Sequence, residues 1–514
     1  MHDAEVFIYL GLSLLPIVLY VLSRQSAAGG QPPSATGWRP LLGHALSYKG
    51  DPAAFLTRQC SAVGPCFSIN LAGKKMVVVG HSREAVMQVA CASESVLSSR
   101  EALLELGFDW TLGKLNVLVG TSAHTRILRQ TYGGDKIADE IPHLYAALER
   151  AIAVRLGDHE GSVGSEPPSW RVPDLLAFVR YAVLRASVER LLGAAVLAAA
   201  GEAFCEAFLR FQDEVEDATA KAAVLPRAAA LPLVLWPMSR KRAAVRARLA
   251  AAITSALRHE GASGTADTSG TADSVDSGRP GIGPWVRALV LDDGRSPSDA
   301  AELICGLLFA AHKNPAIGAA QALLYSLDGP PRAMAACAAE AAALHAHPTA
   351  ETLSRCAALR AAILETLRLC AHAIGAVRKV VAPGGFELRV GGAATPGGAR
   401  TYHLPRGATV ALAHIPTHRD PAVWGARHGE YDPARAEWAP AAARPDDLTF
   451  TTFSQGLHRC PGERLAVPLM QCALGLLHGG AYETTLDGPP PPVDFERATL
   501  AQRARPVPVR VRRV

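Results

Sequence analysis

The stretch "FSQGLHRCPG", residues 453–462, places one cysteine between a glycine-containing turn and the start of a helical pattern. Pro461 suits the first position of a helix, so we expect Cys460 at or near the N-cap. A helix N-terminus favours an anion, and a thiolate is one. The Gly462 amide can point at the sulfur, and Gly456 permits a tight turn. The stretch therefore predicts that Cys460 is a functional thiolate. The alternative is a cysteine with a purely structural role in a turn.

No second cysteine or histidine stands at zinc-ligand spacing around Cys460, which favours a single axial ligand to a haem iron. The ten cysteines include no CxxC pair, and most lie in apolar helical stretches. This pattern predicts buried, reduced thiols and indicates neither a disulfide framework nor a zinc site. The net charge of +5 is modest for 514 residues and does not suggest a nucleic-acid binder.

The N-terminal stretch "VFIYLGLSLLPIVLYVL", residues 6–22, is uncharged and is followed by Arg24. It has the length and flanking charge of a retained signal-anchor with the bulk of the chain in the cytosol. A cleaved signal peptide is the alternative. We expect a membrane anchor over residues 1–24 and a proline-rich hinge over 25–40. A catalytic domain over 41–514 would follow, with a disordered insert at 261–278.

The chain between these landmarks is mainly helical. "CFSINLAGKKMVVVG" predicts two short strands joined at residues 72–74. The apolar, proline-rich stretch 225–239 is followed by basic residues, and it suits either a membrane-dipping surface or a buried loop. One long buried helix is predicted after the N-cap Ser296, with a bend at Pro315. His312, Lys313 and Asn314 at that bend must face water, a ligand or a cofactor.

The stretch that contains Cys460 resembles the Phe-x-x-Gly-x-(Arg/His)-x-Cys-x-Gly signature of the cytochrome P-450 family. "ETLR", residues 365–368, is similar to the family's Glu-x-x-Arg helix, and "YDPAR" supplies Arg435 for the structural triad that the family builds on that pair. The resemblance covers residues 30–510 outside the insert. It implies the P-450 fold, a mainly α structure with small β-sheets, as one large domain behind the N-terminal transmembrane anchor.

The resemblance implies haem b (iron protoporphyrin IX) as cofactor and Cys460 as the ligand to its iron. It also implies that seven residues bind the cofactor: Cys460, Phe453, Gly456, His458, Gly462, Arg129 and Arg378. The two arginines would meet the haem propionates. Arg129 follows Thr125, where the family usually carries a tryptophan.

Within the family, the closest likeness is to the sterol and prostanoid branch, which includes sterol 14α-demethylase, cholesterol 7α-hydroxylase and prostacyclin synthase. The resemblance therefore implies a monooxygenase that hydroxylates or demethylates an apolar sterol, steroid or lipid with O2. Electrons would come from NADPH-cytochrome P-450 reductase. The chain would sit in the endoplasmic reticulum membrane by a single pass, with its catalytic domain in the cytosol and no nucleic-acid partner.

The long helix departs from the family's pattern. The family usually places an acid and a threonine there to deliver protons, whereas this chain has His312, Lys313 and Asn314. Asn314 falls at the threonine position, and its amide can hold a water. His312 can replace the acid if it faces the pocket, so both are predicted as catalytic residues. Two alternatives stay open: a haem-thiolate isomerase or dehydratase acting on a lipid peroxide without O2 or reductase, and a membrane-anchored haem-binding or sensor protein without catalysis.

Overall fold

The computed structural model describes residues 30–158, 167–225, 227–263, 281–391, 398–438, 448–496 and 499–514. The expected anchor at 1–24 and residues 264–278 of the expected insert lie outside the described residues.

Helices make up most of the described chain, as predicted. In chain order they are α1 Ala45–Gly50, α2 Pro52–Val63, α3 Arg83–Cys91, α4 Ser99–Glu105, α5 Phe108–Thr111, α6 Thr121–Tyr132, α7 Lys136–Leu156, α8 Leu175–Ser187, α9 Ala194–Ala200, α10 Glu202–Val224, α11 Arg227–Ala230, α12 Trp236–Ser263, α13 Pro284–Val286, α14 Pro297–Leu327, α15 Pro331–Ala346, α16 Ala350–Arg355, α17 Ala357–Leu369, α18 His414–His418, α19 Pro421–Trp424 and α20 Glu463–Leu477.

The strands form small sheets at the edges of this helical body. They are β1 Cys66–Leu71, β2 Lys74–Val79, β3 Leu97–Ser98, β4 Ser169–Val172, β5 Gly375–Val380, β6 Phe386–Val390, β7 Arg400–Leu404, β8 Thr409–Leu412, β9 Tyr482–Leu486, β10 Val493–Asp494, β11 Gln502–Arg503 and β12 Val509–Arg513. A five-stranded sheet has the order β1-β2-β8-β5-β3, and a three-stranded sheet has the order β4-β12-β9. The predicted hairpin is confirmed, because β1 pairs antiparallel with β2 from Cys66 opposite Val79 to Leu71 opposite Lys74.

Helix α14 runs through the largest hydrophobic core, as its composition predicts. The Ser296 hydroxyl accepts a hydrogen bond from the Asp299 backbone N–H at 3.1 Å, which confirms the predicted N-cap. Helix α14 is long and apolar enough to cross a membrane, but 78% of its most apolar stretch is buried inside the protein, as expected of a core helix. Pro315 lies inside α14 and has no N–H, so the Ala311 carbonyl lacks its usual partner within the helix.

The glutamate and arginine of the "ETLR" stretch form a buried ion pair on α17. Arg368 Nε and Nη2 each lie 2.8 Å from a Glu365 carboxylate oxygen, and both side chains are fully buried. Arg435 Nε lies 3.1 Å from Glu365 Oε1, which confirms the predicted triad. The triad joins α17 to the segment that follows α19, and α17 packs against α14 and α20.

Residues 30–40, the described part of the expected hinge, lie against β1. The Ala35 N–H donates to the Ser68 carbonyl at 2.8 Å, and the Thr36 N–H donates to Gln59 Oε1 at 2.8 Å. The stretch 225–239 forms α11, a π-helical turn and the start of α12, and it leaves Leu233 and Trp236 exposed by 71% and 51%.

Candidate active site around Cys460

Cys460 lies in the turn that leads into α20. Its N–H donates to the Phe453 carbonyl at 2.7 Å, which closes the loop of the quoted stretch. The helix begins at Glu463 with Gly462 as N-cap, so it starts two residues later than Pro461 predicts. Cys460 therefore precedes the N-cap, and its sulfur still lies close to the first amides of the helix.

The environment of the Cys460 thiol contains opposing influences. Surrounding protein desolvates the thiol and raises its pKa, while hydrogen bonds from the Gly462 and Glu463 backbone N–H groups act to lower it. The side chain is nevertheless exposed, because it lines both the cavity and the groove described below. The protein alone thus favours the neutral thiol, and a bound metal would supply the charge that stabilises the thiolate.

A cavity of about 110 Å³ lies between α14, α17, α20 and the Cys460 loop. Most of its lining is apolar, and its polar lining residues are Asn314, His372, Thr452 and Cys460. A second, larger groove of about 1,040 Å³ also reaches Cys460 and is lined by Arg129, Arg459 and Arg464. Cys460 therefore lies where an apolar cavity and a basic groove meet.

The two predicted catalytic residues lie on different faces of α14. Asn314 lines the cavity with Cys460, and its Oδ1 lies 3.5 Å from the Leu500 N–H. His312 is fully buried: Nδ1 lies 3.1 Å from Gln212 Oε1, and Nε2 donates to the Arg180 carbonyl at 2.7 Å. The condition placed on His312, that it faces the pocket, is not met in the described structure, because both ring nitrogens bind elsewhere. We correct that expectation.

Gly456 and His458 contact α3 rather than the cavity. Gly456 has φ +62°, and a Cβ there would lie 2.7 Å from the Ala90 carbonyl oxygen. His458 Nε2 lies 2.9 Å from the Ala92 carbonyl oxygen. Gly456 thus allows the turn to approach α3 closely, and both residues fix the Cys460 loop.

Phe453 and Gly462 line the cavity beside Cys460. The two predicted arginines differ in their surroundings. Arg129 is exposed and lines the basic groove. Arg378 is buried on β5, and its Nε has no hydrogen-bond partner among the described residues. Burial lowers the pKa of Arg378, and Glu94 acts in the opposite direction.

These residues fit a haem chemically. They offer one thiol to an iron, apolar walls to a macrocycle, and an unpaired buried Arg378 nitrogen to an acidic substituent. The cavity is smaller than the roughly 300–1,000 Å³ of typical cofactor sites. The fit therefore lies in the types of residue that line the cavity, not in its volume.

A single thiol donor beside an apolar cavity under a long core helix is the arrangement of a haem-thiolate protein. Residues 288–478 match the model of the family described as Cytochrome P450. Its members are haem-thiolate enzymes that bind haem b. The matched region includes α14, the Glu365–Arg368 pair and Cys460.

Curated relatives match only part of the chain. Cytochrome P450 734A1 of Arabidopsis thaliana is 27% identical over 131 residues, which is 25% of this chain and 22% of that relative. Secologanin synthase 2 of Catharanthus roseus is 35% identical over 75 residues, covering 15% of this chain and 14% of the relative. Cytochrome P450 monooxygenase pytD of Aspergillus terreus is 32% identical over 106 residues, covering 18% and 27%. The chain spans about a fifth of the length of the first such relatives. These plant and fungal relatives do not support the sterol and prostanoid branch.

His372 is a cavity residue that the sequence did not single out. It follows α17, three positions beyond the end of the helix at Leu369. A loop has no hydrophobic periodicity that shows which side chains face inward. Only the spacing of His372 from Arg368, compared with the positions of pocket residues in the family, could have indicated that it lines the cavity.

Proposed function

We propose that this protein is a haem-thiolate monooxygenase that oxidises an apolar molecule, with the Cys460 thiolate as the axial ligand of haem b. The observation that carries the proposal is the position of Cys460. Its side chain opens onto an apolar cavity beneath α14, within the region that matches the cytochrome P450 family.

When bound, haem b supplies O2 activation and insertion of one oxygen atom into a C–H bond. The chain's own residues prepare the site. The Gly462 and Glu463 amides stabilise negative charge on Cys460. Arg378, and Arg129 from the groove side, neutralise acidic substituents. Asn314 holds a water or a proton-bearing group at the cavity, because its amide both donates and accepts hydrogen bonds.

The substrate class follows from the cavity walls and from the surface. We infer an apolar sterol, steroid or lipid, since the lining is mostly apolar and desolvation favours such a ligand. Exposed Leu233 and Trp236 stand beside the basic Arg240 and Lys241, a combination that suits contact with a membrane. We also infer the endoplasmic reticulum membrane as the location.

The proposed electron donor is NADPH-cytochrome P-450 reductase. Its docking surface would be the outer part of the basic groove, where Arg464 is exposed. Opposite charge across such a surface speeds encounter more than it adds affinity. Docking there should therefore weaken as the salt concentration rises.

A haem-thiolate isomerase or dehydratase is the second candidate. The observation in its favour is that no described residue lining the cavity is a carboxylate, so proton delivery to bound oxygen has no acid at hand. Turnover of a lipid peroxide without reductase would favour this candidate. Turnover that requires O2 and reductase would exclude it as the main activity.

The test of the proposal is the carbon-monoxide difference spectrum of the reduced protein. The wild type should show the thiolate-type Soret band, and Cys460→His should abolish it. Cys91→Ser is the matched control, because Cys91 is the other exposed cysteine among the described residues. A thiolate-type band that persists in Cys460→His would remove Cys460 from the proposal.

A further inference from the structure

A separate pocket of about 230 Å³ lies where α8, α14 and the segment around β11 meet. Three arginines line it: Arg180 on α8, Arg503 on β11, and Arg505. No described residue that lines this arginine pocket also lines the cavity beside Cys460 or the basic groove. The pocket is smaller than the roughly 300–1,000 Å³ of sites for drug-sized ligands, so a ligand that fits it is small.

Two of these arginines keep a buried N–H without a hydrogen-bond partner among the described residues. Arg180 Nη1 and Nη2 lie 3.1 and 2.9 Å from the Asp213 carboxylate oxygens, but Nε has no partner. Arg503 Nε lies 3.0 Å from Gln321 Oε1 and Nη1 lies 3.0 Å from the Pro491 carbonyl oxygen, but Nη2 has no partner. A buried donor on a charged group is costly to leave unpaired, so both nitrogens favour a ligand that accepts hydrogen bonds.

Arg505 adds a positive charge that the protein does not use. Its side chain is exposed, and within the described part of the chain it forms no hydrogen bond or ion pair. The guanidinium of Arg503 is fixed in its plane, because its central carbon lies 4.7 Å from the centroid of the Tyr325 ring. A fixed guanidinium presents its N–H groups as a rigid fork, which suits an oxyanion.

Two carboxylates also line the pocket, and both already have protein partners. Besides Arg180, Asp213 accepts a hydrogen bond from Lys313 Nζ at 3.2 Å. Burial acts to raise the pKa of Asp213, but hydrogen bonds and charge from Arg180 and Lys313 lower it overall, so the carboxylate is ionised and paired. Asp174 caps α8 by accepting the Leu176 N–H at 3.1 Å. Among the described lining residues, the buried side-chain atoms left without a partner are both arginine nitrogens, which favours an anion over a cation.

We propose that the arginine pocket binds a small oxyanion, a phosphate or a carboxylate group held by Arg180, Arg503 and Arg505. Guanidinium groups form charge-assisted hydrogen bonds with both kinds of group. The anion would join α8 to the segment around β11, because Arg180 lies on the first and the other two arginines on the second. The inference goes beyond the proposed function and does not depend on haem binding.

Arg503 also connects the arginine pocket to the cavity beside Cys460. Gln321 accepts a hydrogen bond from Arg503 and donates one to the Ala501 carbonyl at 2.9 Å. The residue before Ala501 is Leu500, which lines the cavity. An anion that holds Arg503 would therefore also stabilise the backbone segment that carries Leu500.

The test is calorimetric titration of the purified full-length protein. The probes are inorganic phosphate and malonate, and sodium chloride at the same ionic strength is the comparator. We expect one of the two oxyanions to bind with a dissociation constant of about 1 mM or less. Arg505→Met should weaken that binding at least about tenfold, as expected for the loss of one charge-assisted hydrogen bond, and Arg505→Lys should retain part of it.

Two further variants sharpen the test. Arg332→Met is the control and should bind as the wild type does, because Arg332 is an exposed arginine on α15 that does not line the pocket. Asp174→Asn should bind the oxyanion more tightly, because asparagine caps a helix about as well as aspartate and the change removes an opposing charge.

The outcomes identify the ligand group and decide the inference. Tighter binding of phosphate than of malonate would assign a phosphate group to the pocket, and the reverse order would assign a carboxylate. The inference is overturned if the wild type binds neither oxyanion more tightly than chloride, if Arg505→Met binds as well as Arg332→Met, or if Asp174→Asn binds more weakly than the wild type. The titration reports anion binding alone, so its failure leaves the thiolate-type Soret band, and with it the proposed function, to be judged separately.

Discussion

Glu365 accepts more hydrogen bonds than any neighbouring acid, so we expect its neutral replacement to destabilise the protein strongly. Its two oxygens accept from Arg368 Nε and Nη2, the Asp432 N–H, Arg435 Nε and Trp438 Nε1, all at 2.8 to 3.1 Å. Glu365→Gln keeps the shape and removes the charge. It also turns an amide N–H2 toward groups that can only donate.

The magnitude follows from burial. Glu365 and Arg368 are both fully buried, so the arginine would be left as an uncompensated charge. Breaking one side of such a pair costs about 3–5 kcal/mol of unfolding free energy. Glu351→Gln is the matched control, because Glu351 pairs with Arg355 on α16 and the two side chains are 73% and 76% exposed. That change should cost less than about 0.5 kcal/mol.

Urea unfolding followed by tryptophan fluorescence measures both variants against the wild type. Glu365→Gln combined with Arg368→Met should recover part of the loss, since the second change removes the stranded cation. The reasoning fails if Glu365→Gln is as stable as Glu351→Gln, or if the double variant is less stable than the single one.

The same network gives the stability a pH dependence. Burial acts to raise the pKa of Glu365, but hydrogen bonds and charge from Arg368, with help from Asp432 and Arg435, lower it overall. A carboxylate whose pKa is depressed by folding stabilises the protein above its unfolded pKa, about 4.3 for glutamate. That contribution is lost as the pH falls through the folded value. The gap between wild type and Glu365→Gln should therefore narrow below about pH 4.

Two further predictions concern the cofactor site. Gly456→Ala should lower the free energy of unfolding by about 1–2 kcal/mol and should also lower the haem content, because φ is positive at Gly456 and a Cβ would clash with the Ala90 carbonyl. Gly384→Ala is the control and should change neither quantity, because a Cβ there would have nothing within 4 Å. Equal effects of the two changes would contradict the contact with α3. Arg378→Met should raise the rate at which haem is lost from the protein to added apomyoglobin. The free energy of unfolding of the apoprotein should not fall below that of the wild type, because the change removes a buried nitrogen that has no hydrogen-bond partner among the described residues. Unchanged haem retention would exclude a cofactor contact.

Local chemistry explains why parts of the fold were predictable. Ser296 and Pro297 mark the start of α14 because a hydroxyl cap and a fixed φ act within one turn of the chain. The turn at Ala72 and Gly73 sets the β1–β2 hairpin in the same local way. The role of Gly456 was not predictable, since its close neighbour Ala90 lies on a helix far away in sequence.

The sequence also misplaced one catalytic candidate for a reason that helical geometry makes plain. His312 and Asn314 are two residues apart on α14, and each step turns about 100° around a helix. Their side chains are thus separated by about 200° and leave opposite faces, so only one of them can line a cavity on one side. The structure assigns the cavity to Asn314 and the contact with Gln212 to His312. Besides Asn314, the nitrogen-bearing polar side chain that lines the cavity is that of His372, in the loop after α17. Two polar residues that look like one site in the sequence therefore lie in two different places, and the cavity beside Cys460 is lined by a helix residue, Asn314, and a loop residue 58 positions later, His372.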